Sequence, residues 1–380
     1  MIGIRVRHNL FYPWMLFIFS LLREIDSIFI NRIGFSDLLL LTFIMFFAEF
    51  IAGFSLFKYH LSFLEKKKEA KFLGIKLIQG NNDMKPPDNK FKIYFLIFIA
   101  AYFDFTEFLI TTNYISKYYK YASQTLYKRQ RSIMTLFSAF FCFYLLKFKI
   151  KRHQVFSLLI IFGCLIGIIT AEYYFEENPE NPIELISLQF IIFINYFLFS
   201  LNEIIDKYLL EFDYINPFKI LMLEGIFGLF FSSVYSIQEN PFKAIKNFKK
   251  EKIPFLSIYL FLFFIFSCGK NSYRMITNKL FSPMTRALTD SSLDPFLITY
   301  YYLSGEDFKM KGNKKIVYFF INLIFLIIIV ICGAIYNEFI VLYCCKFEYD
   351  THSEISNRAN SENSFELRRL EKNDDDSDYD

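Results

Sequence analysis

The chain has 380 residues, 54% of them hydrophobic and 21% aromatic, with 52 phenylalanines. A water-soluble domain of this length could not hide that much apolar surface, so the composition excludes an ordinary soluble globule and points to lipid as the solvent. The formal charge of +4 is carried by loops and tails, and nucleic acid is not expected as a partner.

Arg5 and Arg7 precede the first apolar stretch, which Arg23, Glu24 and Asp26 interrupt, and no small-residue cleavage site follows. The stretch therefore reads as a retained first helix and not as a signal peptide. Runs of about 20 apolar residues can cross a hydrocarbon core of about 30 Å as helices, because a helix satisfies its own backbone there. About ten such runs follow one another: Phe11 to Ile30, Leu38 to Tyr59, Phe91 to Asn113, Thr125 to Leu146, Val155 to Tyr174, Ile186 to Asp206, Phe218 to Ile237, Pro254 to Ser272, Thr285 to Leu303, and Ile316 to Cys344. The first and ninth carry several charges each. The predicted fold class is all-α: a polytopic membrane protein of about ten helices.

Lysine and arginine near the span ends set the orientation. The amino terminus, the Lys-rich loop from Lys58 to Lys92, and the loop with Lys147, Lys149, Lys151 and Arg152 alternate onto one side, which is expected to be cytosolic. The acidic loop with Glu176, Glu177 and Glu180 then faces a lumen. Lys243 to Lys252 and Lys309 to Lys315 fit this alternation less well, and the first half decides the expectation that both termini are cytosolic. After Glu348 the apolar residues thin out and the chain ends in an Asp-rich run, so 348–380 reads as a disordered acidic tail.

The six cysteines, Cys142, Cys164, Cys268, Cys332, Cys344 and Cys345, lie in or at the edge of apolar runs, without the spacing of a disulfide framework or a zinc site. Cys344 and Cys345 sit at the last membrane boundary, where palmitoylation and plain burial are both open readings. The phenylalanines read as bulk apolar filler.

The two halves echo one another. Ala48-Glu49-Phe50-Ile51-Ala52-Gly53 in the second span answers Leu223-Glu224-Gly225-Ile226-Phe227-Gly228 in the seventh, each with a carboxylate one turn before a glycine. Ser123 opens the fourth span and Ser282 the ninth, and Gly163-Cys164 in the fifth answers Cys332-Gly333 in the tenth. Five helices repeated give ten, in opposite orientations because five is odd, so residues 1–174 and 175–347 are expected to be two inverted repeats, the plan of alternating-access transporters.

Several of these residues resemble a known family. Thr285-Arg286 followed by Asp290-Ser291 is similar to the Thr-Arg-x-x-x-Asp-Ser signature of the F-type subgroup of solute carrier family 35, in the EamA-like drug/metabolite transporter superfamily. Phe47-Ala48-Glu49-Phe50, Glu224-Gly225-Ile226-Phe227-Gly228, Ser123 to Ser138 and Gly333-Ala334-Ile335-Tyr336-Asn337 are similar too, in the same order, over most of residues 38 to 340. Where one basic residue is expected early in span four, this chain has Lys128, Arg129 and Arg131. The resemblance implies a ten-helix transporter fold and nucleotide-sugar-like transport in an endomembrane such as Golgi, ER, lysosome or vacuole, and it is not tied to one solute.

A central charge costs about 2.5–3.5 kcal/mol to insert, so a retained one is a functional candidate if it faces protein or water. Asp104 and Glu107 share a face of span three. Arg286, Asp290 and Asp294 form a stripe of four-residue spacing in span nine, expected to face the basic cluster Lys128, Arg129 and Arg131 of span four, with Asp290 holding Arg286 while Arg286 and one of the span-four bases grip an anionic group. Glu49 and Glu224 could bind substrate or take hydrogen bonds from a broken helix end. Glu203 and Lys207 read as a local pair. The candidate substrate-binding residues are thus Arg286, Asp290, Glu49, Glu224, Asp104, Lys128 and Arg131, each of which could instead only brace the bundle. Ser282-Pro283 is a helix-start signal whose free amides would favour an anion. Gly163 and Gly167 allow close helix contact, within the chain or in a homodimer.

Three function classes follow: a secondary transporter of a small polar or anionic solute, a membrane enzyme, and a non-transporting scaffold or regulatory subunit acting through its acidic tail. An enzyme is not expected, because His8, His60, His153 and His352 all read as loop or tail residues and no nucleophile has a base in reach. No Gly-x-x-x-x-Gly-Lys-Ser/Thr loop is present, so transport would run by exchange or on a gradient, and no cofactor is expected.

Overall fold

The computed structural model describes residues 2–3, 11–35, 37–72, 90–111, 126–148, 150–175, 182–213, 215–237, 252–304 and 313–342. Ser123, the acidic loop 176–181, the lysines at 243–250 and 309–311, Cys344, Cys345 and the tail 348–380 lie outside the described residues.

The described chain is helical, apart from a two-residue strand pair. The helices are α1 (Phe11–Arg32), α2 (Leu38–Phe72), α3 (Lys90–Ile110), α4 (Leu126–Arg129), α5 (Ile133–Tyr144), α6 (Arg152–Phe175), α7 (Pro182–Glu211), α8 (Pro217–Ser236), α9 (Ile253–Leu280), α10 (Pro283–Ser291), α11 (Asp294–Ser304) and α12 (Asn313–Tyr336). Seven of them, α2, α3, α6, α7, α8, α9 and α12, are long and apolar enough to cross a membrane. β1 (Ile2–Gly3) pairs antiparallel with β2 (Val341–Leu342), which brings the start of the chain against the segment that follows the last helix.

Local chemistry sets the helix ends. Gly34, at φ +90°, stops α1 in the left-handed conformation that a side chain would resist, and its amide bonds back to Asn31. Asn216 caps α8 by accepting from the Phe218 amide at 2.9 Å, with Pro217 as the first helical residue. Ser282 caps α10 in the same manner, accepting from the Thr285 amide at 3.1 Å, so the Ser-Pro start signal operates as read.

Two expected spans are interrupted. The fourth divides into α4 and α5, joined through Gln130, Arg131 and Ser132, where the amides of Gln130, Arg131, Ile133, Met134 and Thr135 all bond three residues back in a tightened turn. The ninth divides into α10 and α11 at Ser292 and Leu293, just before Pro295, which has no amide to continue the ladder. The Arg286, Asp290, Asp294 stripe is therefore not continuous: Asp294 opens a new helix.

The helices pack in a definite set of pairs, chiefly α2 on α8, α1 on α9, α6 on α12, α3 on α7, α9 on α2, α3 on α8, α5 on α7 and α5 on α10. α2 and α8 approach one another closely. A Cβ at Gly225 would meet the Phe50 backbone nitrogen at 2.4 Å, and one at Gly53 would meet the Met222 nitrogen at 2.4 Å. These glycines let the backbones touch, which sets Glu49 and Glu224 on facing turns of the same contact. Outward positions carry large apolar side chains such as Phe91, Phe190, Phe261 and Phe320, as expected for filler solvated by lipid tails.

Candidate functional site

The interior holds an ionic lattice in place of a purely apolar core. Its first node is Arg274 on α9. The guanidinium Nη2 lies 2.7 Å from Glu224 of α8 and 3.9 Å from Asp206 of α7, while Nη1 lies 3.4 Å from Asp104 of α3 and 3.8 Å from Glu49 of α2. All five side chains are buried, and Asn202 of α7 donates to Asp104 at 2.6 Å. One guanidinium, with five donors in a planar fork, can serve several carboxylates where a lysine could not. Three sequence candidates, Glu49, Asp104 and Glu224, are thus brought together from three helices.

A second node is Arg286 on α10. Its nearest carboxylate is that of Glu203 on α7, with Asp290 one turn on at 3.9 Å from Nε. The guanidinium also lies 4.7 Å from the centroid of the Phe199 ring, a favourable cation–π placement. Glu203 and Lys207 do not form the local pair expected of their spacing. Both are buried, Lys207 bonds Glu211 at 2.6 Å and the carbonyls of Asn278 and Phe281 at 2.8 Å each, and Glu203 turns to Arg286. The reason is geometric: α10 sets a guanidinium against α7, and the carbonyls at the end of α9 draw the ammonium the other way.

The third node lies where the interrupted helices meet. Arg131, in the break between α4 and α5, donates from Nη1 to the Asp290 backbone carbonyl at 3.2 Å, and its Nε lies 3.7 Å from Asp294 at the start of α11. Lys128 reaches Glu24 of α1 at 2.7 Å, and Arg131 reaches the same carboxylate at 3.4 Å. Ser20 of α1 donates to Asp290 at 3.2 Å. Gln130 is buried in the break, and neither polar atom of its side chain has a hydrogen-bond partner among the described residues.

The three bases of span four are separated by this arrangement. Lys128 and Arg131 face Glu24, Asp290 and Asp294. Arg129 faces the other way, to Glu172 of α6 at 2.9 Å, where Tyr318 of α12 also donates, and its guanidinium lies 5.1 Å from the Tyr318 ring centroid. Asp104 and Glu107 share a face but not a partner, since Glu107 accepts from Tyr127 at 3.2 Å. Thr285 donates to Asn337 at 2.6 Å, which links α10 to the residue just past α12.

Arg274 and Asp206 escaped the sequence reading. The expected eighth span ended at Ser272, whereas α9 continues to Leu280. The four-residue spacing of Lys270, Arg274 and Asn278 was the signal that the helix runs on and turns these groups inward. Two histidines are also reassigned: His60 lies within α2, and His153 is buried in the first turn of α6, 3.6 Å from Glu338. Cys142, Cys164, Cys268 and Cys332 are free thiols.

The fold and the buried lattice together define a polytopic helical protein with helices of membrane-spanning length and composition. No family model and no curated protein matches the sequence. A solved structure described only as the crystal structure of a protein is similar, with a TM-score of 0.53 at 10% identity over 86% of this chain and 94% of that one, a likeness of fold alone.

Proposed function

We propose that the chain is a secondary transporter of a small polar or anionic organic solute, working by alternating access between two inverted five-helix repeats in an endomembrane. The observation that carries this reading is the meeting of two interrupted helices, α4–α5 and α10–α11, through Arg131 and the Asp290 carbonyl. Irregular backbone at membrane depth is tolerated where it is buried in protein or lines a site, and paired interruptions in corresponding places of two halves are a pointer to a binding site.

The packing supports the repeat. Let α4–α5 and α10–α11 each count as one span, and shift every span by five. The α2–α8, α6–α12 and α5–α10 contacts then map onto themselves. In the same shift α1–α9 exchanges with α7–α3, α2–α9 with α8–α3, and α5–α7 with α10–α1. The β1–β2 pairing supports termini on one side of the membrane, which the Lys-rich loops of the first half assign to the cytosol. In this reading Arg286, Arg131 and Lys128 present positive charge to an anionic group, Asp290 braces Arg286, and the Arg274 node with Glu49, Asp104 and Glu224 couples the two repeats.

Purified protein in vesicles preloaded with nucleotide sugars, nucleotides or amino acids should exchange at least one of them for external label. No exchange above protein-free vesicles across the panel, from monodisperse protein, would leave the scaffold reading, which in turn requires deletion of 348–380 to abolish function.

For self-association the two span-five glycines differ. Gly167 faces the Phe325 ring of α12, where a Cβ would come within 2.6 Å, so it is committed within the chain, while a Cβ at Gly163 would meet nothing within 4 Å. The proposed homodimer then rests on Gly163. Gly163→Leu should lower the crosslinked dimer fraction without lowering the melting temperature, and an unchanged dimer fraction would remove this face from consideration.

A further inference from the structure

The ionic groups of the interior are unevenly matched. Lys128 and Arg131 share Glu24, Arg131 also has Asp294, Arg286 has Glu203 and Asp290, and Arg274 has four carboxylates. Lys270 of α9 stands outside this pairing. It is only 8% exposed, yet it makes no hydrogen bond or ion pair among the described residues. Arg23 of α1, next to Glu24, is half-buried and likewise has no such partner among the described residues.

Both cations lie at one junction. The Phe19 ring packs against Gly269 and stacks on Tyr273 at 5.6 Å between centroids, which fastens α1 to α9 on either side of Lys270. One residue beyond Phe19, Ser20 donates to Asp290, which adds α10 to the junction. The charges that act on Lys270 come from several elements around it: Arg23 and Glu24 of α1, Asp290 of α10, Arg131 from the α4–α5 break and Glu107 of α3. Arg274, one turn further along α9, is engaged through both terminal nitrogens by its own carboxylates. Asp290 and Glu24 take their hydrogen bonds and close ion pairs from other donors, and among the described residues no carboxylate comes within ion-pair distance of Lys270 or Arg23.

A buried ammonium without a partner is costly, and a protein that retains one gives up stability for something the charge does. We propose that Lys270, assisted by Arg23, anchors an oxyanion, a phosphate or carboxylate group of the transported solute, at the junction of α1, α9 and α10. The proposal rests on the transport reading for its meaning but not for its test. Arg286, Arg131 and Lys128, each with a carboxylate beside it, add positive charge around the same group, and Lys270 supplies the ammonium that no described carboxylate pairs.

The test is thermal unfolding of the full chain, purified in detergent, with inorganic phosphate, a nucleoside diphosphate or a dicarboxylate, each against chloride at equal ionic strength. At least one should raise the wild-type melting temperature, and the panel distinguishes phosphate from carboxylate. Lys270→Met should weaken the apparent affinity by about ten- to a hundredfold, the factor for one charge-assisted hydrogen bond, while Lys270→Arg keeps most of the response. Without any added anion, Lys270→Met should melt no lower than wild type, because it removes a buried ammonium that makes no hydrogen bond or ion pair among the described residues; a purely structural lysine would give the opposite. Three results overturn the proposal: no probe stabilises the wild type, Lys270→Met responds as wild type does, or Lys270→Met melts well below wild type. Intact anion binding in a protein that exchanges nothing across vesicles would overturn the transport reading alone.

Discussion

Arg274→Gln is expected to be the most damaging single substitution in the chain. It leaves Glu49, Asp104, Asp206 and Glu224, contributed by α2, α3, α7 and α8, converging on one another with no cation among the described residues within ion-pair distance. Breaking one buried ion pair by removing a partner costs about 3–5 kcal/mol, a large part of a stability that is about 5–15 kcal/mol for a typical fold. Here the guanidinium serves a cluster, so the loss falls at the upper end or beyond. Arg274→Lys should rescue only in part, since a shorter point charge cannot span both Glu224 and Asp104. Adding Glu224→Gln to Arg274→Gln should recover some stability by removing one uncompensated charge. Melting temperature and monodisperse yield in detergent measure all of these, and an Arg274→Gln protein that melts with the wild type would mean the cluster is not a brace.

The second large effect concerns transport. Arg286→Gln and Asp290→Asn should each lower uptake into vesicles by about ten- to a hundredfold at matched protein content, the range for losing one hydrogen bond to a charged group. Asp290→Asn keeps the shape and the Ser20 contact, so its insertion and folding should be near normal. Because both residues act in one network, the double variant should be little worse than the poorer single one. The geometry adds a comparison: Glu203 is the nearest carboxylate to Arg286, so Glu203→Gln should resemble Arg286→Gln more closely than Asp290→Asn does. Wild-type uptake in every variant would make the stripe a brace and the site assignment wrong.

Composition and hydropathy by themselves determined that the chain is helical and meets lipid, since twenty apolar residues in a row carry that information locally. The start of α10 was legible for the same reason: a Ser-Pro cap acts within its own turn. Interior charges such as Glu49, Asp104, Glu224 and Asp290 could be picked out because each interrupts an apolar run. Their partners could not. Which base of Lys128, Arg129 and Arg131 turns toward α1 and α10, and which toward α6, depends on a tightened turn at Gln130 and on the helices that surround it. Gly163 and Gly167 look alike in a four-residue motif, but only the packing of α12 on α6 makes one an internal contact and leaves the other open. Arg274 draws its carboxylates from positions 50 to 225 residues away along the chain. Periodicity reports which face a residue occupies, whereas a buried charge is satisfied by whatever groups other helices bring within reach, and that is decided only when the helices pack.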